Sequence, residues 1–171
     1  MSFENRVRFE ARLLIEHTEP ESMSIPTEKE VKKWLSIIGK ANGFQCKNEY
    51  EILMQEPWGI LAKIDHVWLK RIPILDQDIP VVAFEITRSI GKLWNKKMMK
   101  GDLTNLRLSQ ASIGVLVVPV ERWKQEPPHG YDLFVNRMDD YLVTLTKVAA
   151  PMRLELWDLD KVLSHAKLHL G

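Results

Sequence analysis

Two hydrophobic periods alternate along the chain. Phe3, Val7, Ala11 and Leu14 fall near helical spacing, so 3–17 (FENRVRFEARLLIEH) reads as a short helix, followed by a Pro- and Ser-containing loop over 18–26. Residues 1–24 thus form an N-terminal helical arm able to pack on the rest of the chain or on a second copy. Thr27 and Glu30 make a capping box, and Val31, Trp34, Leu35 and Ile38 then form an i, i+3, i+4, i+7 stripe that Gly43 can end. The pattern next changes to strands, at 45–54 (QCKNEYEILM), at 60–70 (ILAKIDHVWLK) after a Pro57-Trp58-Gly59 break, and at 81–87 (VVAFEIT) after a turn over 71–80. Helical spacing returns over 92–110, weakened by Gly101, and is followed by a buried-type strand at 113–118 (IGVLVV) closed by Pro119. A Pro-Pro surface loop over 120–130, a helix over 131–147, a strand over 152–157 and a helix over 159–169 capped by Asp158 complete the expectation.

Three consecutive strands, a crossover helix and further strands point to an α/β fold. About five strands form a mixed sheet with helices on both faces. One core accounts for all 171 residues, a length ordinary for a single domain. The 45% apolar and 27% charged composition is globular, and the net charge of +1 means that any nucleic-acid surface must be local. The single cysteine, Cys46, excludes an internal disulfide and a multi-thiolate zinc site. No apolar run approaches the ~18 residues of a membrane span. The charged first residues do not form a signal peptide, so a soluble, cytoplasmic protein is expected. Glycine-rich phosphate loops, G-x-S-x-G and H-E-x-x-H are absent.

Candidate chemistry lies in two strands. Lys63, Asp65 and Val67 share one face of 60–70, and Val81, Ala83, Glu85 and Thr87 share one face of 81–87. If the strands are antiparallel neighbours, Asp65 and Glu85 lie side by side. Two carboxylates brought together at apolar strands repel one another. A bound Mg²⁺ explains such a pair, since a hard cation takes oxygen ligands. The alternative is a pair of salt-bridged strand-edge acids, although Val82, Ala83, Phe84 and Ile86 make Glu85 look inward-set. His66 points to the opposite face and is not counted as a ligand.

Ile64-Asp65, Phe84-Glu85-Ile86-Thr87, the Lys-rich helix that follows and the strand IGVLVVP together resemble the PD-(D/E)XK nucleases, the restriction-endonuclease-like superfamily. The resemblance covers residues 27–118 well and the remainder loosely. It implies a metal-dependent endonuclease hydrolysing DNA phosphodiester bonds. Asp65, Glu85 and the Ile86 backbone carbonyl would bind Mg²⁺, with Mn²⁺ as a substitute. Thr87 stands at the usual lysine position and lacks the charge, so the resemblance implies a lysine supplied from elsewhere: Lys63, Lys97 or Lys100, with Lys100 preferred to Lys97. Glu30 is either a third metal-site acid or simply the capping residue. If no lysine reaches the site, a catalytically silent subunit that binds nucleic acid or a protein partner is the alternative.

Window 92–107 sets Lys92, Lys96, Lys97, Lys100 and Arg107 against Asp102, a local excess of positive charge suited to a phosphate backbone. Thr87, Arg88 and Ser89 can extend that contact, although a solvated helix face and ordinary strand-end polar residues fit equally well. DNA is the expected partner, RNA is not excluded, and a homodimer is expected because a one-domain nuclease often needs a second copy to cut both strands.

Overall fold

The computed structural model describes residues 26–53, 59–88, 96–121 and 152–169, with 96–100 described by backbone alone. The arm at 1–24, the Pro57-Trp58 break, Ser89, Lys92, the Pro-Pro loop beyond Glu121 and the helix expected over 131–147 lie outside the described residues.

Helix α1 (Glu28–Ala41) starts with a reciprocal capping box. The Glu30 backbone N–H donates to Thr27 Oγ1 at 3.2 Å, and the Thr27 backbone N–H donates to Glu30 Oε2 at 2.6 Å. Val31, Leu35 and Ile38 are buried. The helix ends where Asn42 Nδ2 donates to the Ile38 carbonyl at 2.8 Å and Gly43 adopts φ +79°, a conformation open to glycine.

Strands β1 (Gln45–Leu53), β2 (Ile60–Ile72) and β3 (Gln77–Ile86) form an antiparallel meander. Helix α2 (Lys96–Leu108) then carries the chain back to β4 (Ile113–Val118), which lies parallel to β3. Strand β5 (Arg153–Asp158) pairs parallel with β4, and helix α3 (Leu159–Lys167) follows, with Asp158 Oδ1 accepting from the Asp160 N–H at 2.8 Å. The sheet order is β1-β2-β3-β4-β5, so β3 is central, as its apolar run predicts. The mixed five-stranded α/β sheet is therefore as expected.

Two boundaries differ from the sequence pattern. Strand β3 begins at Gln77 rather than 81, because a single 3₁₀ turn (Pro73–Leu75) and the left-handed Asp76 suffice to reverse the chain. Pro80 is accommodated within the strand opposite Leu69, next to a register slip between Trp68 and Leu69. A bulge is a place where a missing N–H is tolerated. Val120 and Glu121 open a helical turn instead of a loop, and Val120 is buried.

Each sheet face carries its own core. Leu103 and Leu106 of α2 pack with Val67, Leu69, Ala83, Leu116, Leu154 and Leu156. On the other face, α1 and α3 contribute Val31, Leu35, Ile38, Leu159, Val162 and Ala166 against Trp68, Val82, Phe84, Val115 and Val117. Trp68 locks α1 to the sheet, its indole N–H donating to the Leu35 carbonyl at 3.0 Å. Gly39 permits this approach, since a Cβ there would lie 2.5 Å from Trp68 Nε1 and 2.6 Å from Cys46 Sγ. Among the described residues, no helix is long and apolar enough to cross a membrane.

Candidate metal centre

The regular alternation of β2 fails at Asp65. Ile64 and Val67, three residues apart, both join the α2-side core, whereas Trp68 joins the α1-side core. Facing this point on β1, Glu49 has a left-handed φ of 52° between the pairs Asn48–His66 and Tyr50–Ile64. The β2–β3 ladder runs from Ile72–Gln77 to His66–Phe84, and at the next step the Asp65 side chain reaches β3. Its Oδ2 accepts the Ile86 backbone N–H at 2.8 Å. The carboxylate thus satisfies a strand donor, which leaves its other oxygen, Oδ1, for charge chemistry.

Glu85 meets Asp65 there. The side chain is buried, 5% exposed, and one of its oxygens, Oε1, is enclosed without a hydrogen-bond partner. The ladder pair His66–Phe84 sets Asp65 and Glu85 at neighbouring positions of β2 and β3, and the charge of Asp65 acts on Glu85. Burial, then the charges of Asp65 and Asp102, pushes Glu85 up to about 10, so the neutral acid is the form that stays folded in the protein alone. Burial also raises Asp65, opposed by the Ile86 N–H and by the nearby Lys32 ammonium. Asn105 of α2 partly offsets the rise of Glu85.

The sequence-derived candidates divide by geometry. Asp65 and Glu85 come together. Ile86 contributes its N–H to Asp65. Thr87 is 3% exposed, and its hydroxyl faces Asp102 Oδ2 at 3.4 Å, so it is turned toward α2 and not outward to a phosphate. Glu30 is taken up by the exposed helix cap; the α1 acid beside Asp65 is Glu28. Lys63 is half-exposed and pairs with Glu49 Oε2 at 3.1 Å. Lys96, Lys97 and Lys100 lie in the first turns of α2, Arg107 lies in its last turn, and Arg88 follows β3. His66 contacts Asn48 Oδ1 through Nδ1 at 2.6 Å and packs against Phe84.

Three residues that matter, Glu28, Lys32 and Glu49, escape the sequence reading. Glu28 and Glu49 join Asp65 in presenting carboxylate oxygens that lie within 4.8 Å of one another. Lys32 already sits among them. Its Nζ is 2.6 Å from Glu28 Oε1, contacts Glu49 Oε1, and is 3.6 Å from Asp65 Oδ1. Burial pulls the Lys32 pKa down, but the bonds to Glu28 and Glu49 and the Asp65 charge outweigh it, holding the ammonium well above its ordinary range. Glu49 is lowered, chiefly by its Lys32 bond against an opposing effect of burial, with Lys63 assisting. A visible signal existed: Glu28 and Lys32 are spaced i, i+4, and Lys32 adjoins Val31 on the buried flank of the stripe.

Glu28, Glu49 and Asp65 offer oxygen donors of the kind that could hold a hard divalent ion, and Glu85 Oε1 is enclosed without a hydrogen-bond partner. No family model, curated protein or solved structure matches the chain. Fold and site together are a mixed five-stranded α/β sheet bearing a buried acid, Glu85, beside a half-buried one, Asp65.

Proposed function

We propose that the protein is a divalent-metal-dependent nuclease of the restriction-endonuclease-like type, hydrolysing DNA phosphodiester bonds. Asp65 and Glu85 would hold Mg²⁺ or Mn²⁺, and the Ile86 carbonyl would complete the protein's donors. The bound ion would supply charge neutralisation at a phosphate and a water of lowered pKa.

One observation carries this reading: a buried carboxylic acid with an unpartnered oxygen, set against a second carboxylate where β2 leaves its ladder. A stability-driven fold gains nothing from such a pair, because apolar residues of the same volume would avoid the desolvation cost. The order α1-β1-β2-β3-α2-β4 supports the reading, because it places one acid on β2 and the other on β3, as the resemblance implies. Asp65 is held by the Ile86 N–H through Oδ2, which orients its other oxygen, Oδ1, 3.6 Å from the Lys32 ammonium. Lysines at 96, 97 and 100 on α2, directly after the acid-bearing strand, suit a DNA backbone.

A second reading is a catalytically silent binding subunit. The buried Thr87 at the motif's lysine position favours it. Incubation of linear, branched and single-stranded DNA, and of RNA, with Mg²⁺ or Mn²⁺ separates the two. Metal-dependent cleavage lost in Asp65→Ala supports the nuclease; binding without cleavage supports the subunit.

A further inference from the structure

Lys32 is buried, charged and ringed by acid. Glu28 comes from α1, Glu49 from β1 and Asp65 from β2, so one ammonium ties three elements together. Three carboxylate oxygens within 4.8 Å of one another repel, and the chain sets its own cation among them.

We propose that Lys32 is the resident counter-ion of the acid site, and that it sets how tightly the Asp65–Glu85 pair takes a divalent ion. The inference rests on the metal-dependent reading above. Asp65 is the shared residue: it faces Glu85 on one side and lies 3.6 Å from the ammonium on the other. A divalent ion arriving at Asp65 therefore meets a fixed like charge in a partly desolvated place, where screening is weak. The ammonium has somewhere to stay when Asp65 turns to an ion. Glu28 holds it at 2.6 Å, and Glu49 holds it while also pairing with Lys63 at 3.1 Å. Lys63 cannot play the same part, because its side chain is 51% exposed and its charge is shielded by water. The lysine thus keeps α1 docked on β1 and β2 in the absence of metal and weakens the site for metal at the same time.

Mn²⁺ titration of the wild-type protein, Lys32→Met and Lys32→Arg, followed by calorimetry, tests this. Lys32→Met is expected to bind Mn²⁺ about tenfold or more tightly than wild type, and Lys32→Arg to match wild type. Without metal, Lys32→Met should melt at a lower temperature, and Mn²⁺ should raise its Tm by more than it raises that of wild type. If Lys32→Met folds only with Mn²⁺, the proposal is supported; if it does not fold at all, Lys32→Gln is read by the same affinity criterion. Equal affinities for wild type and the uncharged variant overturn the counter-ion role and leave the metal reading standing. Absence of Mn²⁺ binding in every variant at millimolar ion overturns both.

Discussion

Asp65 Oδ2 accepts the backbone N–H of Ile86 at 2.8 Å, so a side chain of β2 takes over the ladder of β3 at the residue after Glu85. This bond fixes the second acid beside the first. It also explains why the pair survives in an apolar sheet: Asp65 is hydrogen-bonded and faces an ammonium, while Glu85 keeps its proton.

Asp65→Ala should remove both supports. Metal-dependent cleavage is expected to disappear. Urea unfolding should show a loss of about 1–3 kcal/mol from the orphaned Ile86 N–H and the altered surroundings of Lys32. Retained cleavage would place the metal elsewhere.

Glu85 gives the metal-free protein a pH dependence of definite sign. Its folded pKa, about 10, lies above the ordinary 4.5, so the folded state binds the extra proton. Its contribution to stability is complete below about pH 4.5 and is lost as pH rises through that window. Glu85→Gln should fold at neutral pH, flatten this fall between pH 5 and 9 and lose the metal. Chemical unfolding at stepped pH, without and then with Mg²⁺, measures both effects.

His66 acts in the opposite direction. Burial and the Lys32 charge lower it from 6.5 to about 4, so the unfolded chain binds the proton first as pH falls. Its share of stability is present above pH 6.5 and disappears as pH drops toward 4. NMR titration of the His66 ring should show no protonation at pH 5.5. An ordinary histidine titration there would remove the basis for this prediction.

Gly39→Ala should destabilise the α1–sheet contact by about 1–3 kcal/mol, because the new methyl meets Trp68 and Cys46 at less than van der Waals distance. Thermal unfolding gives the loss. Tryptophan fluorescence should shift as the Trp68–Leu35 bond gives way.

Much of this architecture is legible in the sequence where one signal dominates. The capping box at Thr27, the stripe Val31-Leu35-Ile38 and the unbroken VVAF and GVLVV runs each have one stable solution, and those elements form where the pattern puts them. The start of β3 is obscured because Asp76, Asp78 and Pro80 all read as turn residues, yet only Asp76 reverses the chain. Asp65 and Glu85 could be brought together as acids on neighbouring antiparallel strands, although the alternation that puts Asp65 on the face of Val67 breaks between Ile64 and Val67. Lys32 and Glu49 could not, since their meeting depends on the packing of α1 over β1 and on a left-handed residue in a strand, neither of which leaves a periodic trace. The sequence directs attention to Lys63 on β2 and to Lys97 and Lys100 on the helix after the motif. The ammonium that reaches Asp65 among the described residues precedes it, on α1.

Anomalous scattering from a Mn²⁺-soaked crystal decides whether the two acids hold a metal. One strong peak is expected, bonded to carboxylate oxygens of both Asp65 and Glu85, with Lys32 still held by Glu28 and Glu49. A peak that touches neither acid, or no peak in a protein that cuts DNA, would contradict that placement.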